Sequence, residues 1–86
     1  MTRVSPFVSP RRASQEVLAR LSNNLRNLRA ARGFTQENLA KLCRFNRNYI
    51  SNIEHGSVNV TVATLEALAK GLGCTEAQLL ARRSER

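Results

Sequence analysis

Residues 34–56 read FTQENLAKLCRFNRNYISNIEHG, and their reading decides the fold. Thr35 stands where an N-cap belongs, with Gln36 and Glu37 in the first turn behind it. Leu39, Ala40 and Cys43 then form one apolar stripe, enough for a helix of about two turns. The run breaks at Arg44-Phe45-Asn46. Asn46 can cap a further helix that runs through about His55 and stops at Gly56. Its apolar positions are Ile50 and Ile53. At roughly 100° per residue, Asn48, Ser51, Asn52 and His55 fall on the opposite side. The stretch therefore predicts two short helices joined by a tight turn, the second of them polar outward.

Working outward, the same logic extends in both directions. Upstream, Val17, Leu18, Leu21, Leu25 and Leu28 mark an amphipathic helix over about 15–32, with Ser14 as N-cap, Arg29 and Arg32 in its last turn, and Gly33 as a left-handed stop. Downstream, Thr61 caps a helix carrying Val62, Leu65, Leu68, Ala69 and Leu72, ended by Gly73. Thr75-Glu76-Ala77-Gln78 is a capping box that opens a short fifth helix. No strand signal interrupts them, so the expected fold is all-α, a compact five-helix domain over 14–81. Residues 1–13 read as a basic arm, with Pro6, Pro10, Arg3, Arg11 and Arg12 and no helical period, and 82–86 as a frayed basic tail.

Composition narrows the function. The 86 residues carry fourteen Lys and Arg against six Glu and no Asp, a net charge of +8. Residues 1–47 hold ten of the fourteen cations and two of the six Glu, which points to a polyanion met by the front half. Twelve of the cations are Arg, whose planar fork suits phosphates and base edges. Cys43 and Cys74 stand alone, with a single His in the chain, so neither a metal site nor a disulfide framework is expected. No paired carboxylates and no Gly-rich phosphate loop are present, which argues against an enzyme. No apolar run reaches the ~20 residues of a membrane span, and the N-terminus lacks a signal peptide's apolar core, so a cytoplasmic protein is expected.

Two short helices around a tight turn, the second polar on its outer side, form a helix-turn-helix arrangement. A helix about 10–12 Å across fits the major groove of B-DNA, where each base pair shows a distinct donor and acceptor pattern. Arg47, Asn48, Ser51 and Asn52 supply such a face: Arg pairs bidentately with guanine and Asn with adenine.

The literal residues of 25–72 resemble the lambda-repressor-like (Cro-type, XRE) helix-turn-helix family. The matching words are LRxxR before the first turn, TQExLA opening helix two, YISxIExG in helix three, and N-x-T-x-x-T-L-x-x-L-A into helix four. The resemblance implies double-stranded DNA as partner, with helix 46–55 in the major groove and Arg47, Asn48 and Asn52 reading bases. It implies that Gln36 binds a phosphate and braces the recognition helix, so that its loss weakens all sequences alike. Ser51, Tyr49 and Asn59 are implied near the DNA backbone, although Tyr49 equally suits the edge of the core. Arg29 and Glu54 match a structural salt bridge. Two departures stand out. Arg44 replaces a usual Gly or Asn, so either the turn differs or Arg44 accepts positive φ and turns its cation to the DNA. Val60 replaces a frequent Pro.

One helix reads few base pairs, so a homodimer on a palindromic operator is expected. Ala77, Leu79, Leu80 and Ala81 find little core left to fill and are expected at the dimer interface. Arg20 and Arg26 are expected to be solvated, and Arg3, Arg11 and Arg12 to be candidates for a minor groove. No metal, cofactor or small-molecule effector is expected. A restriction–modification controller, a phage-type repressor and an antitoxin all fit. A protein-interaction adaptor of the same fold is the rival from another class, and RNA binding a weaker one.

Overall fold

Five side-chain oxygens start five helices. Ser14, Thr35, Asn46, Thr61 and Thr75 each sit in extended conformation and accept the main-chain N–H three residues on. Each such cap is worth ~1 kcal/mol. In a computed structural model that describes residues 13–82, they open α1 (Gln15–Ala31), α2 (Gln36–Cys43), α3 (Arg47–Glu54), α4 (Val62–Leu72) and α5 (Glu76–Leu80). Among the described residues no strand occurs, and the fold is the expected all-α one. Capping boxes form at Thr75 with Gln78 and, unforeseen from the sequence, at Thr35 with Asn38. Apart from Ala13 and Arg82, the expected arm and tail lie outside the described residues.

Helix ends repeat one device. Gly33, Gly56 and Gly73 have φ of 73°, 71° and 70°, and the residue after each returns its N–H to a carbonyl five residues back. Arg44 does the same with φ 63° and ψ 38°, placing Phe45 N–H on Ala40 O at 2.9 Å. It is the single non-glycine with positive φ among the described residues. A side chain there costs roughly 1–2 kcal/mol, so α2 ends in a strained turn where a glycine would end it freely.

The core gathers Leu25, Leu39, Ile50, Ile53, Leu68 and Leu79, all fully buried. Leu79 corrects the expectation that α5 offers its leucines to a second copy. Its side chain is 0% exposed and belongs to the protomer's own core, with Leu21, Leu25, Leu68 and Leu72 among its members. Leu80 is half-buried, while Ala77 and Ala81 are exposed. A five-residue helix has no stability of its own, and α1 holds this one from below: Arg20 Nε donates to Leu80 O at 3.2 Å, and Asn24 Nδ2 to Leu79 O and Ala81 O at 2.9 and 2.8 Å.

Other α1 side chains do the same for other helices. Arg26 Nη1 donates to Glu54 O at the end of α3, and Arg32 Nε to Leu72 O at the end of α4, each at 2.5 Å. Cations at helix C-termini satisfy orphan carbonyls and oppose the helix dipole. Of the two arginines expected to be solvated, Arg26 is exposed and Arg20 half-buried, and both also bond to the fold, Arg26 donating to Asn23 Oδ1 as well. Four cations of the front half, Arg20, Arg26, Arg29 and Arg32, thus make hydrogen bonds within the fold. Gly71 lets α4 pack closely on α2, since a Cβ there would meet Cys43 Sγ at 2.7 Å.

Candidate nucleic-acid interface

The turn between α2 and α3 is built so that α3 buries one face and shows the other. Ile50 and Ile53 are 0% and 1% exposed, whereas Arg47, Asn48 and Asn52 are exposed and Ser51 is half-buried. The capping oxygen of Asn46, 2.8 Å from Tyr49 N, fixes where the helix begins.

Beneath that face lies Glu54, a carboxylate only 2% exposed. A buried charge is tolerated when it is paired and hydrogen-bonded, and here three donors meet it. Arg29 Nε approaches Oε2 at 2.5 Å and Nη2 approaches Oε1 at 3.1 Å. Gln36 Nε2 adds a third bond to Oε1 at 3.0 Å. The Glu54 hydrogen bond raises the pKa of Arg29 above its ordinary value, against the opposing effect of burial. Arg29 Nη1 also donates to Phe34 O at 2.8 Å, tying the end of α1 to the start of α2. On its other side, Gln36 Oε1 accepts Arg47 Nη1 at 2.9 Å. Arg29, Glu54, Gln36 and Arg47 thus form one continuous line from α1 to the surface of α3.

The remaining sequence-derived residues are placed as follows. Tyr49 is half-buried, its ring edge-to-face on Phe45 with centroids 5.0 Å apart and its hydroxyl 3.1 Å from Thr64 Oγ1. Asn59 is exposed in the loop before α4 and accepts Ala13 N–H at 3.1 Å. Arg44 is exposed at the strained turn. His55 Nδ1 lies 2.8 Å from Ser51 O, and a carbonyl only accepts, so Nδ1 carries the proton. Sequence reasoning missed Arg26 on the end of α3 and the Gln36–Arg47 bond. Partners 28 and 11 residues apart leave no periodic trace.

The comparisons with known proteins match this geometry. A family model described as a helix-turn-helix domain matches residues 20–81. The chain belongs to the helix-turn-helix family. It is similar to a hypothetical transcription factor of Neisseria meningitidis, 36% identical over 72 residues that span 84% of this chain and 68% of that protein. It is also similar to the control protein C.SmaI of Serratia marcescens, 39% identical over 72% of this chain and 74% of that one. Among solved structures, the restriction–modification controller protein C.AhdI from Aeromonas hydrophila superposes with a TM-score of 0.70 at 35% identity, over 72% of this chain and 94% of that one. As a helix-turn-helix family member with such relatives, the protein is a DNA-binding transcriptional regulator. Among the described residues, no helix is long and apolar enough to cross a membrane.

Proposed function

We propose that the protein binds a two-fold-symmetric operator as a homodimer, with α3 in the major groove, and acts without cofactor or small-molecule effector. The carrying observation is the exposed trio Arg47, Asn48 and Asn52 on a helix whose other face is locked into the core through Ile50, Ile53 and Glu54. In this reading the trio contacts base edges, and Ser51, Asn59 and Gln36, the last through its main-chain N–H at the first turn of α2, face phosphates. The strain at Arg44 supports a functional side chain there, because a glycine would relieve it and lose only an exposed side chain. Tyr49 fits both roles open to it: Thr61 Oγ1 donates to Thr64 Oγ1, which leaves Thr64 able to donate to Tyr49 and Tyr49 free to give its proton outward.

Pairing of two copies fits the apolar groove of about 190 Å³ that Val62, Leu65 and Leu80 line with Val17. Val62 is 82% exposed at its rim. Leu80, Ala77 and Ala81 remain in this interface; Leu79 does not. Relatives named as control proteins favour the controller role over the phage-type and antitoxin roles.

Selection of bound duplexes from a random pool tests the reading. The expected product is an inverted repeat whose half-sites lie about one helical turn apart, with base preference relaxed in Arg47→Ala or Asn52→Ala. Binding that shows no sequence preference at either low or high salt would make the fold an adaptor. A Leu80→Glu variant that sediments as the parent does would remove the proposed dimer surface.

A further inference from the structure

The groove of about 190 Å³ beside α1 leaves apolar surface in water, which an apolar occupant would remove. Val17, Leu18 and Leu21 of α1 line it with Leu65 of α4 and Leu80 of α5, and Val62 stands 82% exposed at its rim. The one side-chain hydroxyl in the lining, on Thr61, is already engaged: Oγ1 accepts Thr64 N–H at 3.0 Å and donates to Thr64 Oγ1 at 3.2 Å. Such a lining selects for an apolar group. Ala13 belongs to the same lining, and its N–H is held by Asn59 Oδ1 at 3.1 Å. The chain therefore enters the described fold at the groove itself.

We propose that Phe7 of the same chain fills this groove. Five residues separate Phe7 from Ala13, a reach of up to ~20 Å in extended chain, which is ample to turn back into a groove that Ala13 itself lines. The volume suits one phenyl ring, since an apolar cavity of ~150 Å³ takes up benzene. Phe34, Phe45 and Tyr49, the three aromatic residues within the described span, already pack against the core, which leaves Phe7 as the aromatic ring for the groove. Pro6 and Pro10 restrict the backbone on either side of Phe7, so less freedom is lost when the segment settles. A tether this short also gives the ring a local concentration of roughly millimolar, which favours it over a second copy in dilute solution. Docking is complete within one protomer and holds whether or not two copies pair. In a pair, the second copy meets Val62 and Leu80 around a filled groove.

The chain has no tryptophan, so Phe7→Trp in the full chain reports on this one position. Its emission is expected to be blue-shifted and protected from acrylamide relative to the same variant in urea, at every protein concentration and whether sedimentation finds one copy or two. Adding Val62→Glu, a change at an exposed rim position, should move the emission back towards that of the unfolded chain. The natural side chain gives a second readout. Phe7→Ser should lower the melting temperature by about 4 °C or more in the parent and by much less in a Val62→Glu background. Emission of Phe7→Trp that matches the unfolded chain, with an unchanged melt for Phe7→Ser, overturns the proposal. An indole is larger than a phenyl ring, so the Phe7→Ser melt decides if the two readouts disagree. A blue shift confined to concentrations at which copies associate also overturns it and gives the groove to the second copy. Sedimentation of the parent reports on pairing separately, so either reading can fail alone.

Discussion

Leu79→Ala separates core from interface at the end of the chain. The Leu79 side chain is 0% exposed, and it is the one wholly buried side chain of a helix five residues long. Truncation removes three carbon groups, about 0.8 kcal/mol of transfer free energy each, and leaves a cavity under α5; buried Leu→Ala changes cost ~2–5 kcal/mol in all. A loss of about 3 kcal/mol is expected here, because α1 holds the α5 carbonyls with Arg20 and Asn24 and limits how far the helix can settle into the void. A domain of this size has a stability of only ~5–10 kcal/mol. Each kcal/mol moves the melting temperature by roughly 4–8 °C, so a drop of ~12–24 °C should appear in a circular-dichroism melt. Leu80→Ala, at a half-buried position, should cost about half as much, and Ala77→Ser or Ala81→Ser under ~0.5 kcal/mol. Sedimentation at matched concentrations supplies the control. A Leu79→Ala protein that melts within a few degrees of the parent, yet associates less, would refute the placement of Leu79 in the protomer core.

Arg44→Gly should raise stability by about 1 kcal/mol in urea melts, since φ 63° then costs nothing, while duplex binding weakens and its salt slope falls by about 0.9 if Arg44 meets a phosphate. Gly71→Ala should destabilise by ~1–3 kcal/mol because its Cβ meets Cys43 Sγ at 2.7 Å, and Cys43→Ala in the same chain should recover most of that loss; equal melts for the single and double variants would contradict the clash. Burial raises the pKa of the Cys43 thiol, so the fold favours the neutral form. That contribution is complete below the ordinary thiol range near ~8.5 and is lost as pH climbs through it towards the folded value. Stability should therefore fall more steeply in the parent than in Cys43→Ala as pH rises above ~8.5, as followed by urea melts.

What the sequence disclosed and what it withheld divide along range. Caps are local: an oxygen at Ser14, Thr35, Asn46, Thr61 or Thr75 acts three residues ahead, and the eye finds it before an apolar period. The exposed face of α3 follows from helical angle alone once Ile50 and Ile53 are taken as buried. Leu79 was misjudged because five residues give no period, and the space left for it depends on how α1 and α4 close. The arginines of α1 look alike on a helical wheel, yet Arg20 ends on Leu80, Arg26 and Arg29 on Glu54, and Arg32 on Leu72, residues distant in sequence. The resemblance supplied Gln36 as a residue of interest. Its amide polarity became legible only when Glu54 was found beneath it. Arg44 was visible as a departure, and the backbone shows that the strained alternative is the one adopted.

Guanine N7 lies only in the major groove, so methylation interference on the selected operator tests the central claim most directly. The expected result is interference at guanines in two blocks about one helical turn apart, with one guanine in each block becoming insensitive when Arg47→Ala replaces the parent protein. Interference absent at guanine N7, or confined to adenine N3 in the minor groove, contradicts the placement of α3 against the base edges.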